Sequence, residues 1–81
     1  MEELVREIVE PMISNKEALM IKMIPETDTE PAQIIVITDK QDTARLIGKS
    51  GSVANAIRKV VSVKARLEKL KIKVKFESYD E

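Results

Sequence analysis

The sequence predicts an α+β fold in which a three-stranded mixed sheet carries three helices on one face, in the order α-β-β-α-α-β. Three observations lead there. Leu4, Val5, Ile8, Val9, Met12 and Ile13 recur at helical spacing. Ile34-Ile35-Val36-Ile37 is a run of four β-branched residues, the composition of a central strand with both faces covered. Leu70, Ile72, Val74 and Phe76 alternate with Lys71, Lys73 and Lys75, the period of a strand with one wet face. The stretch between those two strands is long enough to make them parallel neighbours, and right-handed crossover then gathers the helices on one side.

Each element has a local reason. The first helix has Glu2 and Glu3 in its first turn, where the dipole favours anions, and Pro11 near its end, where the ring kinks or loosens the last turn. Leu19 to Ile24, interrupted only by Lys22, reads as an edge strand. Pro25 to Pro31 encloses Glu26, Asp28 and Glu30 in a polar loop without periodicity. Asp39 is a good N-cap for the helix Lys40 to Ile47, with Asp42 in its first turn. Gly48 ends that helix. The next starts near Ser50 to Ser52 and runs to about Leu67, with Val53, Ala54, Ile57, Val60 and Val61 facing inward. The 81 residues read as one domain: helix and strand over 2–24, an acidic loop over 25–31, and a β-α-α-β core over 32–77.

Composition narrows the chemistry. The chain has no cysteine and no histidine, which excludes a disulfide framework, the usual zinc ligand sets and Cys- or His-based nucleophilic catalysis. The carboxylates cluster in the first helix and the acidic loop, without a catalytic partner, so the chain does not read as an enzyme. No cofactor is implied. No apolar run approaches the roughly 18 residues of a membrane span, and the acidic N-terminus is not a secretory signal, so a cytoplasmic location is expected. The net charge of zero hides a segregation. Residues 1–40 carry nine acidic and four basic side chains; residues 41–81 carry five acidic and ten basic. Screening over about 8–10 Å lets the basic half attract a polyanion on its own.

The stretch that organises the basic half is Leu46-Ile47-Gly48-Lys49-Ser50-Gly51. Two glycines three residues apart let one helix stop and another start within four residues, because glycine tolerates positive φ. Such a turn presents backbone N–H groups at the start of the following helix, where the dipole also favours an anion. Lys49 and Ser50 between the glycines are a cation and a hydroxyl donor. The Gly-Lys-Ser tripeptide also ends a nucleotide-binding P-loop, but that motif needs glycine where Thr43 stands and a strand where this chain has a helix.

Ile47-Gly48-Lys49, Gly51, Ala54, Ala56-Ile57-Arg58 and Val60-Val61 resemble the signature of a KH domain, an apolar residue before a Gly-x-x-Gly loop between two helices. The element order resembles the type II KH arrangement, and the length and first helix are similar to small bacterial single-KH proteins of the KhpA type. Ala54 departs from many KH domains, which carry a larger aliphatic residue there.

The resemblance implies a single-stranded RNA-binding protein whose Gly48-Lys49-Ser50-Gly51 loop clamps about four nucleotides by their backbone. The Lys49 ammonium and the amides of Ser50, Gly51, Ser52 and Val53 are the expected phosphate contacts. Ile47 and Val53 are the expected walls of an aliphatic groove for bases, and Arg45 and Arg58 secondary phosphate contacts. Stacking is worth about 1–3 kcal/mol per base, and the chain offers only Phe76 and Tyr79. A single copy should therefore bind weakly and gain affinity by pairing sites. The resemblance implies the same: self-association as a homodimer, a larger KH-containing partner, and an RNA-chaperone role linked to cell shape and cell-wall control. The competing expectation is a KH-fold protein-interaction module without intrinsic RNA binding. An acidic or apolar pair between the glycines would mark it, and Lys49-Ser50 is neither.

Overall fold

The computed structural model describes residues 1–79. Helix α1 (Glu2–Val9) tightens into a 3₁₀ turn over Glu10–Met12. Pro11 causes the change, since it has no N–H to give the preceding turn. A second 3₁₀ turn, Lys16–Ala18, leads into β1 (Met20–Ile24). There follow β2 (Ala32–Thr38), α2 (Lys40–Ile47), the turn Lys49–Gly51, α3 (Ser52–Leu67) and β3 (Ile72–Ser78).

The sheet order is β1-β2-β3, so the β-branched run is central. β1 pairs antiparallel with β2, Lys22 opposite Ile35. β2 pairs parallel with β3, Ile34 opposite Val74 and Ile35 opposite Lys75. This is the mixed α+β sheet and the type II KH-like order expected. The helices cover one face. Val5, Val9 and Ile13 from the N-terminal segment meet Ile34, Val36 and Val74 of the sheet, Leu46 of α2, and Ile57 and Val61 of α3.

Three expectations change. The central strand is covered on one face only: Ile34, Val36 and Thr38 are buried, while Ile35 and Ile37 are half-buried on the open face. The lysines of β3 border that face, which is how so apolar a strand is tolerated there. Val60 does not point inward; it is 50 % exposed. The buried residues of α3 are Ala54, Ile57, Val61 and Ala65, and at about 100° per residue Val60 falls on the next stripe around. Leu70 does not begin the last strand. Its N–H is taken by the carbonyl of Ala65 at 2.8 Å, which closes α3, and pairing starts at Ile72.

Polar contacts lock α2 into this layer. The Asp39 carboxylate accepts from the Asp42 N–H at 2.9 Å and caps the helix. Asp42 itself is buried and accepts from the amides of Ser14 and Asn15, each at 2.9 Å, tying α2 to the segment after α1. Those two amides hold its carboxyl below the usual carboxylate range; burial opposes them, and Arg45 and Lys16 reinforce them. Thr43 lies where a P-loop would need glycine. Its hydroxyl sits 2.6 Å from that of Thr38, 2.8 Å from the Asp39 carbonyl and 3.2 Å from that of Glu77, joining α2 to the ends of β2 and β3.

Candidate nucleic-acid interface

The turn between α2 and α3 is built from backbone conformations that few residues adopt. Gly48 has φ 75°, Ser50 φ 55° and Gly51 φ 78°. At Gly48 the requirement is double. A Cβ there would overlap the Val53 side chain and lie 2.9 Å from the Val53 amide nitrogen, so the missing side chain lets the turn fold onto α3. At Gly51 only the handedness matters, since the nearest atom to such a Cβ is Asn55 Nδ2 at 3.9 Å. The Gly48 N–H closes α2 on the carbonyl of Ala44 at 3.0 Å.

The amides of the turn divide into two sets. The Gly51 N–H donates to the Gly48 carbonyl at 3.2 Å, and the Ser52 N–H to that of Lys49. These two are already used within the turn, which narrows the expected donor set of Ser50 to Val53. The amides of Lys49 and Ser50 stand ahead of the first helical turn, where no preceding carbonyl reaches them, and find no acceptor among the described residues. No side chain caps α3. Lys49 and Ser50 are exposed, and Lys49 enters no ion pair among the described residues. The turn therefore carries two amides, a hydroxyl and an ammonium on adjacent exposed residues.

Apolar surface lies beside it. Ile47 is 37 % exposed immediately before Gly48, and Val53 is half-buried beneath the turn. Ile47 is thus available to a ligand rather than consumed by the core, whereas Ile57 is buried.

The two expected arginines have partners in the chain. Arg45 donates to the Ser14 hydroxyl and lies 3.6 Å from Asp42 Oδ1, so it braces the corner that Asp42 organises. Arg58 donates from Nε to the Val74 carbonyl at 3.0 Å and from a terminal nitrogen to Asn55 Oδ1 at 3.2 Å. Its guanidinium also lies 5.5 Å from the Phe76 ring centre. Arg58 is thereby fixed against β3 with several N–H groups unspent. The structure brings Ile47, Gly48, Lys49, Ser50, Gly51, Ser52 and Val53 into one turn, places Arg58 two turns along α3, and ties Arg45 to Ser14 and Asp42. Sequence reasoning missed the Phe76–Arg58 pair and the role of Asp42, because their partners lie 16 to 28 residues away.

α3 has a further exposed stripe. Val60, Val63 and Leu67 are 50, 56 and 77 % exposed, and with Leu4 of α1 they line an open apolar groove. Among the described residues no helix is long and apolar enough to cross a membrane, and no cluster of side chains suits a metal ion.

Residues 2–76 match the family model described as KhpA/KhpB, KH domain. The "RNA-binding protein KhpA" of Listeria monocytogenes serovar 1/2a is 41 % identical over 61 residues, covering 75 % of this chain and 78 % of that protein. The protein of the same name from Streptococcus pneumoniae serotype 4 is 38 % identical over 72 residues, covering 88 % and 89 %. No solved structure matches the chain significantly.

Proposed function

The chain belongs to the KhpA/KhpB KH-domain family, and from that premise we propose that it binds single-stranded RNA by its sugar-phosphate backbone at the Gly48–Gly51 turn. The observation that carries the reading is the pair of acceptor-free amides at Lys49 and Ser50, flanked by an exposed ammonium and hydroxyl. A phosphate seated there meets hydrogen bonds, the positive end of a 16-residue helix and a full charge. These contacts position a strand without reading its sequence. Bases turn onto Ile47 and Val53. Gly51, Ser52 and Val53 shape the seat, Arg58 contributes from the side nearer β3, and Arg45 serves in a secondary role with the hydrogens that Ser14 and Asp42 leave unused.

The relatives, named as RNA-binding proteins, support RNA as the ligand. The site lacks exposed stacking platforms: Phe76 is half-buried under Arg58, and Tyr79 lies at the end of the described chain. Affinity then comes from joining two sites, and the Val60, Val63 and Leu67 stripe is the apolar face on which a second copy packs. In this reading the protein acts as a cytoplasmic RNA chaperone in a homodimer or with a larger KH partner, serving cell shape and cell-wall control.

Replacing Lys49 and Ser50 together by Asp tests the clamp. The melting curve should be unchanged and binding to a short single-stranded RNA pool largely lost, because two carboxylates would then face phosphate. Wild-type affinity in that variant would show that the turn is not the clamp. Light scattering of Val63→Glu tests the pairing face: a shift to monomer is expected, and an unchanged mass would leave the stripe to a different partner.

A further inference from the structure

Two shallow clefts run along the exposed side of α3, and the second reaches Ile72 at the start of β3. One is lined by Asn55, Arg58, Lys59, Ser62, Arg66 and Val63, the last of which also borders the apolar groove. The other begins at Ser62 and Arg66 and continues to Lys69 and Lys71. The shared residues make them one channel. It starts beside Gly51, where Asn55 is the nearest side chain, and α3 rises about 16 Å from Asn55 to Arg66. Every ionisable group lining it is a cation. Lys59, Arg66, Lys69 and Lys71 enter no ion pair among the described residues, whereas Lys64 is held by Glu68 at 3.3 Å. Beyond Lys71 the sign changes, since a further cleft there is lined by Glu26, Asp28 and Glu30.

The end of the channel carries a second observation. Lys69 has φ 59°. It occupies the left-handed position that closes α3: its own N–H reaches the Arg66 carbonyl at 3.0 Å, and that of Leu70 reaches Ala65. Glycine is the usual residue there because a Cβ disfavours this conformation. A lysine is kept in a backbone state that its side chain opposes, two residues before Lys71, the cation that borders the acidic cleft. Strain retained in this way points to use of the side chain.

We propose that an RNA strand held at the Gly48–Gly51 turn continues along α3 as far as Lys69. The footprint is then longer than the roughly four nucleotides of a KH clamp. The added contacts are to phosphates, because the described lining sets five cations among small polar and aliphatic side chains such as Asn55, Ser62, Val63 and Leu70, with no aromatic ring. The acidic loop repels phosphate and sets the far limit. The inference rests on the RNA reading above, and one titration separates the two.

Oligouridylates of about four and about eight nucleotides are titrated into the full chain, wild type and Lys69→Gly. The longer probe offers about five registers to a four-nucleotide site, so about fivefold tighter binding follows from statistics alone. The proposal requires a wild-type gain above about twentyfold, and a gain in Lys69→Gly that falls back toward fivefold while the short probe is unaffected. Lys69→Gly should also melt several degrees higher, which excludes misfolding as the cause. Arg66→Gln should reduce the salt slope of the long probe by about 0.7, one phosphate contact. A wild-type gain of only fivefold, or a Lys69→Gly variant that keeps the full gain, overturns the extended track and leaves the clamp standing. Wild-type protein that binds neither probe overturns both.

Discussion

At the N-terminal end of α3 the chain turns through Gly48, Ser50 and Gly51, all at positive φ; at the C-terminal end it turns through Lys69 alone. The difference lies in what surrounds the backbone. Gly48 sits against the Val53 side chain and amide, so any side chain there is excluded by contact as well as by conformation. Gly51 and the cap at Lys69 face only the conformational preference, and a preference of about 1–2 kcal/mol can be overridden where a side chain is useful. Ser50 and Lys69 are the non-glycine residues at positive φ among those described. Both present polar side chains on the surface proposed to meet RNA. Packing excludes a side chain at Gly48, conformation alone favours glycine at Gly51, and Ser50 and Lys69 keep a side chain against that preference.

The largest test of this contrast is Gly48→Ala. Strain at φ 75° and overlap with Val53 add, and urea denaturation should show a loss of about 2–4 kcal/mol. Gly51→Ala carries only the conformational part, so its loss should be about 1–2 kcal/mol. Equal losses for the two would mean that Val53 yields and that close approach is not what Gly48 supplies. Lys69→Gly should go the other way, gaining about 0.5–1 kcal/mol, because it relieves the same preference. A loss in that variant would show that the lysine side chain packs rather than serves.

The smallest effect at ordinary pH concerns Asp42, which belongs to neither turn. Its folded-state pKa is depressed by the amides of Ser14 and Asn15. Its contribution is therefore fully present above the unfolded carboxylate value of about 3.9 and is lost as pH falls through the lower folded value. Stability should be flat in this group from pH 7 to about 5 and fall in the acid limb. Asp42→Asn should show a shallower acid limb than wild type, and identical limbs would remove Asp42 as the latch.

Much of this was legible from local pattern. The four β-branched residues marked the central strand, the 33 residues between it and β3 allowed a parallel return, and Asp39 and the Gly-x-x-Gly spacing marked helix ends. Val60 was not legible. α3 carries two apolar stripes side by side, and periodicity alone merges Val60 and Val61 into one face. Leu70 continued the alternation of β3 in sequence, yet its amide was claimed by the helix before it. Arg58 looked like a free cation on an outer face until β3 brought Val74 and Phe76 beneath it.

Element order, the handedness of the crossover and the position of the glycine turn were determined by the chain itself, because periodicity, capping and φ preference act within a few residues. Which stripe of α3 met the sheet, which amides of the turn kept no acceptor, and which charges were neutralised were decided only on folding. Those outcomes depend on groups brought across from distant segments, as Ser14 and Asn15 were to Asp42, and no local rule encodes the neighbour that will arrive.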